Sequence, residues 1–376
     1  MSNFSGKHLH IVSFNVPYPP DYGGVIDVFY KIKALHALGV QVHLHCFHYG
    51  REESKELEAI CASVSYYERK KFYQAIYQSV PYIVGSRKSG ELLANISADE
   101  HPVLFEGLHT CFYLSHKAVR EKIKAVRMHN VEWDYYKSLG EQERNYLLKF
   151  YFKYESQKLK KFEEELQHAN HVFTISKNDF EYFSKYEKNI HYLPAFHSNE
   201  TVTSKTGKGD YVLYHGNLSV VENNQAALYV LKKIAAHSKR EFIIAGKDPL
   251  NSLRKEINNQ PNVTLVYNPS FETMSSLVSN AHINLLPTFQ NTGIKLKLLN
   301  SLYKGRFCIV NEPMIKNTGL EELCILEENA EKIIETIEEL FQRDFTENDK
   351  LVREQVLQNG FSNNANALKI CNVLWP

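Results

Sequence analysis

The residues best suited to chemistry sit where apolar runs end. NTGIKLKLLN (291–300) follows the apolar run HINLLP (282–287) and opens a helical pattern that stops at Gly305. A glycine at a helix mouth with lysines in the first turn suits phosphate, because free N–H groups and the helix dipole both favour an anion. On a helix, Gly293, Lys297 and Asn300 fall on one face. Backbone N–H groups at Gly293, Ile294 and Lys295 would meet a diphosphate, and Lys295 or Lys297 would supply charge. Asn300 can donate and accept hydrogen bonds to a ribose. The competing reading is an amphipathic helix with surface lysines over a core of Leu296, Leu299 and Tyr303. Lys247, in AGKDP (245–249), is a second diphosphate candidate, with Pro249 placed to start a helix. A turn lysine in solvent explains it equally well.

The first half of the chain carries a different set. Gly23 and Gly24 precede a helix start, and adjacent glycines let backbone come close to a ligand. His129 ends a strand at the carboxyl edge, where open α/β sheets bind ligands. Glu132 follows it as an exposed-looking carboxylate, able to orient a hydroxyl or simply to cap a helix. Glu106 and His109 end another strand near the same edge and are candidate acceptor contacts. In VHLHCFH (42–48), His43 and His45 alternate along one strand face with Cys46 and His48 nearby. No cysteine or carboxylate cluster completes a zinc set at recognisable spacing, so no metal is expected.

These groups need a scaffold. The chain has 376 residues, 43% hydrophobic and 23% charged, with a net charge of +1. That suits two globular domains and argues against charge-driven nucleic-acid binding. Six cysteines are too sparse for a secreted disulfide framework, and the N-terminus lacks the apolar run of a signal peptide. No segment approaches the ~20 apolar residues needed to span a bilayer. A reduced, cytoplasmic protein is expected. Aromatics interleaved with Arg69, Lys70, Lys71, Arg87 and Lys88, and lysines along 144–163, leave open a peripheral contact at the inner face of a membrane.

Strand and helix alternate throughout. Strand 9–16, helix 25–38 and strand 40–47 form a βαβ unit with Gly39 as a stop signal. Strands follow at 102–107, 125–130, 171–176 and 191–196, with one long charged helix at about 141–168. Residues 197–210 are polar and read as a linker. The alternation restarts with strands 211–216, 241–246, 263–267, 282–287 and 306–311, and a helix at 222–236. The expected architecture is α/β, with two Rossmann-like domains (1–196 and 211–360) facing each other across a cleft.

Several motifs, in order and spacing, resemble the retaining GT-B glycosyltransferases of family 4, the glycosyltransferase family 1 domain type. DYGG (21–24) matches the loop after the first strand, and RMHN (127–130) the strand end that carries an active-site histidine. VFTISKND (172–179) and YLPAF (192–196) match the crossover, HGNLS (215–219) the glycine turn opening the second domain, and LPT with GIKLKLLN the donor segment. GFSNNANALKI (360–370) matches the final helix, which implies that about 361–376 packs back on the first domain. The resemblance implies transfer of a hexose from a nucleotide diphosphate sugar to a hydroxyl of a glycan, lipid-linked or small acceptor, with retention and without a metal. It assigns His129 to the donor sugar and Gly216 to close approach of the phosphates. The family's paired glutamates fall at Thr292 and Asn300, and its arginine at Asn217, with Glu222 near the family's lysine. These departures leave two alternatives: a non-catalytic protein binding a nucleotide sugar or a partner enzyme, and an epimerase or phosphorylase on the same fold.

Overall fold

The computed structural model describes residues 4–75, 79–289 and 296–376. Thr292, Gly293, Ile294 and Lys295 lie outside them. The chain forms two compact units. One holds the described residues up to Ser198 together with Phe361–Pro376, and the other runs from Asn199 to Gly360.

The first unit is built on seven parallel strands: β1 (His8–Ser13), β2 (Gln41–His48), β3 (Ser63–Glu68), β4 (Val103–Glu106), β5 (Lys124–Met128), β6 (His171–Thr174) and β7 (Ile190–Tyr192), in the order β3-β2-β1-β4-β5-β6-β7. The order reverses at β1 and β4, so their carboxyl ends diverge into the crevice where such sheets take ligands. Leu9, Ile11 and Val12 of β1 are fully buried, because helices cover both faces of a parallel sheet. The helix Gly23–Ala37 buries Val25, Val28, Ile32 and Leu35 at helical spacing. It ends before Gly39, whose φ of 89° a residue with a Cβ rarely adopts. The helix Asn363–Leu374, capped by Ser362, buries Ala367, Ile370, Cys371 and Leu374 in the same core as Leu9 and Leu35.

The second unit has six parallel strands: β8 (Tyr211–Asn217), β9 (Glu241–Lys247), β10 (Val263–Tyr267), β11 (Ile283–Leu286), β12 (Phe307–Val310) and β13 (Ile325–Leu326), in the order β10-β9-β8-β11-β12-β13. Again the order reverses, here between β8 and β11.

Three sequence expectations need correction. The long helix at 141–168 is two helices, Glu132–Gln142 and Tyr146–Phe162, followed by a 3-10 turn. Asn145 breaks it by accepting bonds from the N–H groups of Leu147 and Leu148, which starts a new helix. The helix expected at 222–236 is α-helical only over Val221–Tyr229 and then widens into a π turn. The edge strands β3 and β13 were not expected. Within the polar stretch 197–210, Thr203 N–H donates to Tyr303 (2.7 Å), and Gly207 bridges Phe345. Among the described residues, no helix is long and apolar enough to cross a membrane.

Candidate active site

The first unit concentrates buried charge under the carboxyl ends of β4 and β5. Asp27 and Lys31 sit one turn apart on the inward face of Gly23–Ala37, and both are fully buried. The Arg127 guanidinium, on β5, grips Asp27 through Nε (3.2 Å) and Nη2 (3.0 Å). It also donates to the carbonyls of Leu193 and Pro194. Lys31 Nζ donates to Asp27 (3.0 Å) and to Glu106 Oε1 (2.6 Å). The other oxygen of Glu106 lies 3.1 Å from His129 Nε2. Two carboxylates thus meet one guanidinium, one amine and the His129 ring. Burial alone would raise the carboxyls of Asp27 and Glu106. Arg127 and Lys31 outweigh it at Asp27, and Lys31 and His129 outweigh it at Glu106, so both are held below the ordinary carboxylate range.

This network fixes His129. A carboxylate only accepts, so Nε2 donates to Glu106; in the neutral form of the ring, Nδ1 is then an acceptor. Nδ1 is buried and has no partner among the described residues. His109 Nδ1, Glu132 Oε1 and Thr174 Oγ1 are buried and unpartnered in the same sense. All four residues follow or end neighbouring strands, β4, β5 and β6. Buried polar atoms are rarely left so, and a run of them at one sheet edge marks a place built for a polar ligand. His109 Nε2 is 3.9 Å from Glu132 Oε2. Phe14 packs against both histidine rings, edge-on to His129. Gly107 permits the arrangement: it has φ 73°, and a Cβ there would stand 2.8 Å from His109 Nδ1.

The electrostatics set two groups apart. Burial pushes the Glu132 carboxyl up from 4.5 to about 8, with Asp179 adding to the effect. Burial and the nearby Arg87 guanidinium push His109 well down. Near neutral pH the pair is therefore a carboxylic acid beside a neutral imidazole, suited to giving and taking protons.

In the second unit the candidates gather at the carboxyl end of β8. Gly216 is half-buried, and Asn217 is exposed with Oδ1 accepting from Ser219. Lys297, on the helix Leu296–Lys304, reaches back to Asn223 Oδ1 (3.2 Å) and lies over the Tyr214 ring. His215 is buried against Ser301 of that helix (3.0 Å) and burial lowers it to about 3, a structural role. Lys247 ends β9 exposed to solvent, as does its neighbour Asp248, at φ 47°. Asn300 is half-buried on the same helix as Lys297.

The sequence reading of Glu132 as exposed is therefore wrong: it is 2% exposed. Glu106 is also no acceptor contact as it stands, because Lys31 and His129 take both its oxygens. Gly23 and Gly24 do open the helix beside Phe14, and a Cβ on Gly24 would stand 2.7 Å from that ring. Arg87, expected on a basic surface, is buried and bonded to the carbonyl of Phe14 (3.0 Å). Asp27, Lys31, Arg127 and Thr174 were missed. The signal for Asp27, Lys31 and Arg127 was a charged residue inside an apolar helix or strand pattern; Thr174 carried none.

No family model matches the chain. An uncharacterised 44.6 kDa protein in the cps region of Klebsiella pneumoniae is 26% identical over 333 residues, covering 82% of this chain and 84% of that protein. Among solved structures, a mutant S. aureus TarM in complex with fondaparinux, alpha-GlcNAc-glycerol and UDP superposes with a TM-score of 0.67. It is 10% identical and covers 98% of this chain and all of its own. WaaG, a glycosyltransferase involved in lipopolysaccharide biosynthesis, gives 0.63 at 10% identity, covering 98% of this chain and 99% of its own. The fold is that of the GT-B glycosyltransferases, two Rossmann-like domains in one chain.

Proposed function

We propose that this chain is a glycosyltransferase that moves a hexose from a nucleotide diphosphate sugar to a hydroxyl of a glycan, lipid-linked or small acceptor, with retention of configuration. One observation carries the reading: His109, His129, Glu132 and Thr174 turn buried, unpartnered polar atoms to one sheet edge, in a fold shared with sugar transferases. The second unit holds the nucleotide. Gly216 lets backbone approach the diphosphate, Lys297 offsets its charge, and Asn300 bonds the ribose. Asn217, Lys247, Thr292, Gly293, Ile294 and Lys295 complete that donor set. As the anomeric carbon–oxygen bond breaks, its electron pair moves onto the diphosphate, and a preorganised cation there lowers the barrier. In the first unit, His129 Nδ1 accepts from a sugar hydroxyl, and Glu132 with His109 meets the acceptor.

Retention rests on the motif resemblance. The UDP and glycan ligands of TarM, the lipopolysaccharide role of WaaG and the cps-region relative support a part in polysaccharide biosynthesis. A lipid-linked acceptor fits the helix Tyr146–Phe162. Tyr146 is 87%, Leu147 83% and Phe150 72% exposed beside Lys149 and Lys153. Such a face can lie in an anionic membrane surface.

A thermal-shift panel of UDP, GDP, ADP, CMP and their common sugars tests the reading. A ligand at ~100 times its Kd should stabilise the fold by about 2.7 kcal/mol. One clear hit names the donor class. No hit with any nucleotide overturns the proposal. Thr292 and Asn300 in place of the family's glutamates favour one rival, a non-catalytic nucleotide-sugar binder, which a hit without sugar release would select.

A further inference from the structure

We infer that the first unit carries a divalent transition-metal site at the opposite edge of its sheet, formed by His8, His43 and His101. His8 opens β1, His43 lies near the start of β2, and His101 precedes β4. All three therefore sit at the amino-terminal edge, away from the carboxyl-end groups described above. An imidazole nitrogen from each lies within 4.8 Å of the others. His8 Nδ1 and His43 Nε2 are already 2.9 Å apart. A tetrahedral zinc ion with Zn–N of about 2.0–2.1 Å holds its ligand atoms about 3.3 Å apart; the His8 ring is stacked on those of His43 and His101, so binding requires the rings to turn until their nitrogens face one ion.

Three further features fit a ligand set better than a packing accident. His43 Nδ1 is 2.8 Å from Ser63 Oγ, which turns the other nitrogen toward the trio. Metal-bound histidines commonly have such a partner on the second nitrogen. The Asp99 carboxylate, which is also paired with Lys122 (3.0 Å), stands 3.9 Å from His101 Nε2. All three rings are partly exposed, so an ion can enter from solvent and complete its shell with water.

The neighbouring histidines make a useful contrast. His10 and His45 are buried one step inward on the same strands. His10 bonds Asp99 and His45, and His45 also bonds the Tyr67 hydroxyl. Both nitrogens of each ring are thus occupied, and that pair is core structure. The outer trio differs in being partly exposed, and an ion there would replace the His8–His43 hydrogen bond. Three imidazoles select zinc, nickel or copper over calcium or magnesium. An ion there would tie β1, β2 and the segment before β4 together.

Chelator-treated full-length protein is titrated with Co2+, read by visible absorption, and with Zn2+, read by calorimetry. One equivalent of each should bind. His8→Ala and His101→Ala should each weaken binding by at least ~100-fold. Ser63→Ala should weaken it by about 10-fold, as loss of an orienting partner does. His168→Ala, at an exposed histidine away from the cluster, should change nothing. Circular dichroism confirms that each variant is folded. His8 and His101 lie at the sheet's rim and tolerate change better than His43. No binding at 100 µM metal, or binding that survives in a His8→Ala/His101→Ala double variant, overturns the assignment.

Discussion

Replacing Glu132 with Gln should make the protein more stable, and by an amount that depends on pH. The carboxyl is 2% exposed, and Oε1 has no partner among the described residues. Burial raises it from 4.5 to about 8. Between those values the folded state keeps a proton that the unfolded state has lost. Stability therefore falls as pH rises, by about 1.4 kcal/mol per unit through that window, and is flat outside it. At pH 7 the cost is 2.5 units, or about 3 kcal/mol. Gln keeps the shape and the neutral form, so Glu132→Gln should match the wild type at pH 4 and exceed it by about 3 kcal/mol at pH 7. That is roughly 6–12 °C in Tm for a unit of this size. His109 is also held neutral, but it is present in both proteins and cancels in the difference. Thermal and urea melts from pH 4 to 8, followed by circular dichroism, read the gap. A gap that does not change with pH, or a variant less stable at pH 7, would refute the reasoning. A residue that costs stability in this way is most simply retained for activity, so the stabilised variant should lose turnover while keeping its nucleotide affinity.

Three further outcomes are expected. Asp27→Asn strands Lys31 and Arg127 with one buried counter-charge and should cost about 3–5 kcal/mol in chemical denaturation; a loss below ~1 kcal/mol would mean that water compensates the network. Lys297→Ala should weaken nucleoside diphosphate binding by roughly 10–100-fold in calorimetry, the worth of one charged hydrogen bond, and unchanged affinity would return Lys297 to a purely structural role. Gly246→Ala would place a Cβ 1.9 Å from the Gly216 carbonyl oxygen. It should cost about 3 kcal/mol, as overpacking against backbone does, and should weaken nucleotide binding through the displaced Gly216; normal stability and affinity would contradict that geometry.

The scaffold was legible because parallel strands buried on both faces read as continuous apolar runs, as LHIV and INLL do. Gly39 marked a helix end through its backbone conformation, and Gly305 marked another where a Cβ would meet the Asn284 side chain at 2.2 Å. What failed was local or long-range. The break at Asn145 rests on one side chain bonding two N–H groups, inside a stretch whose composition is helical throughout. The strand β3, at a sheet edge with the mixed pattern SVSYYE, carries too little apolar periodicity to stand out. In the site, His129 was legible from its place at a strand end. Its supports were not: Glu106 pairs with Lys31 across 75 residues and Arg127 with Asp27 across 100. Glu132 was misread because a carboxylate after a strand is usually solvated, and its burial depends on what surrounds it in the folded unit. His8, His43 and His101 share no spacing that sequence could reveal, since β1, β2 and β4 bring them together only in the folded sheet.

The most direct test of the central claim is to incubate the protein with the nucleotide sugar that binds, with and without glycan and lipid-linked acceptors, and to follow the donor by mass spectrometry. The account requires release of the nucleoside diphosphate in step with transferred or free sugar, and loss of that release in His129→Ala with nucleotide binding intact. A donor that binds and stays whole with every acceptor, or turnover undiminished in His129→Ala, would contradict it.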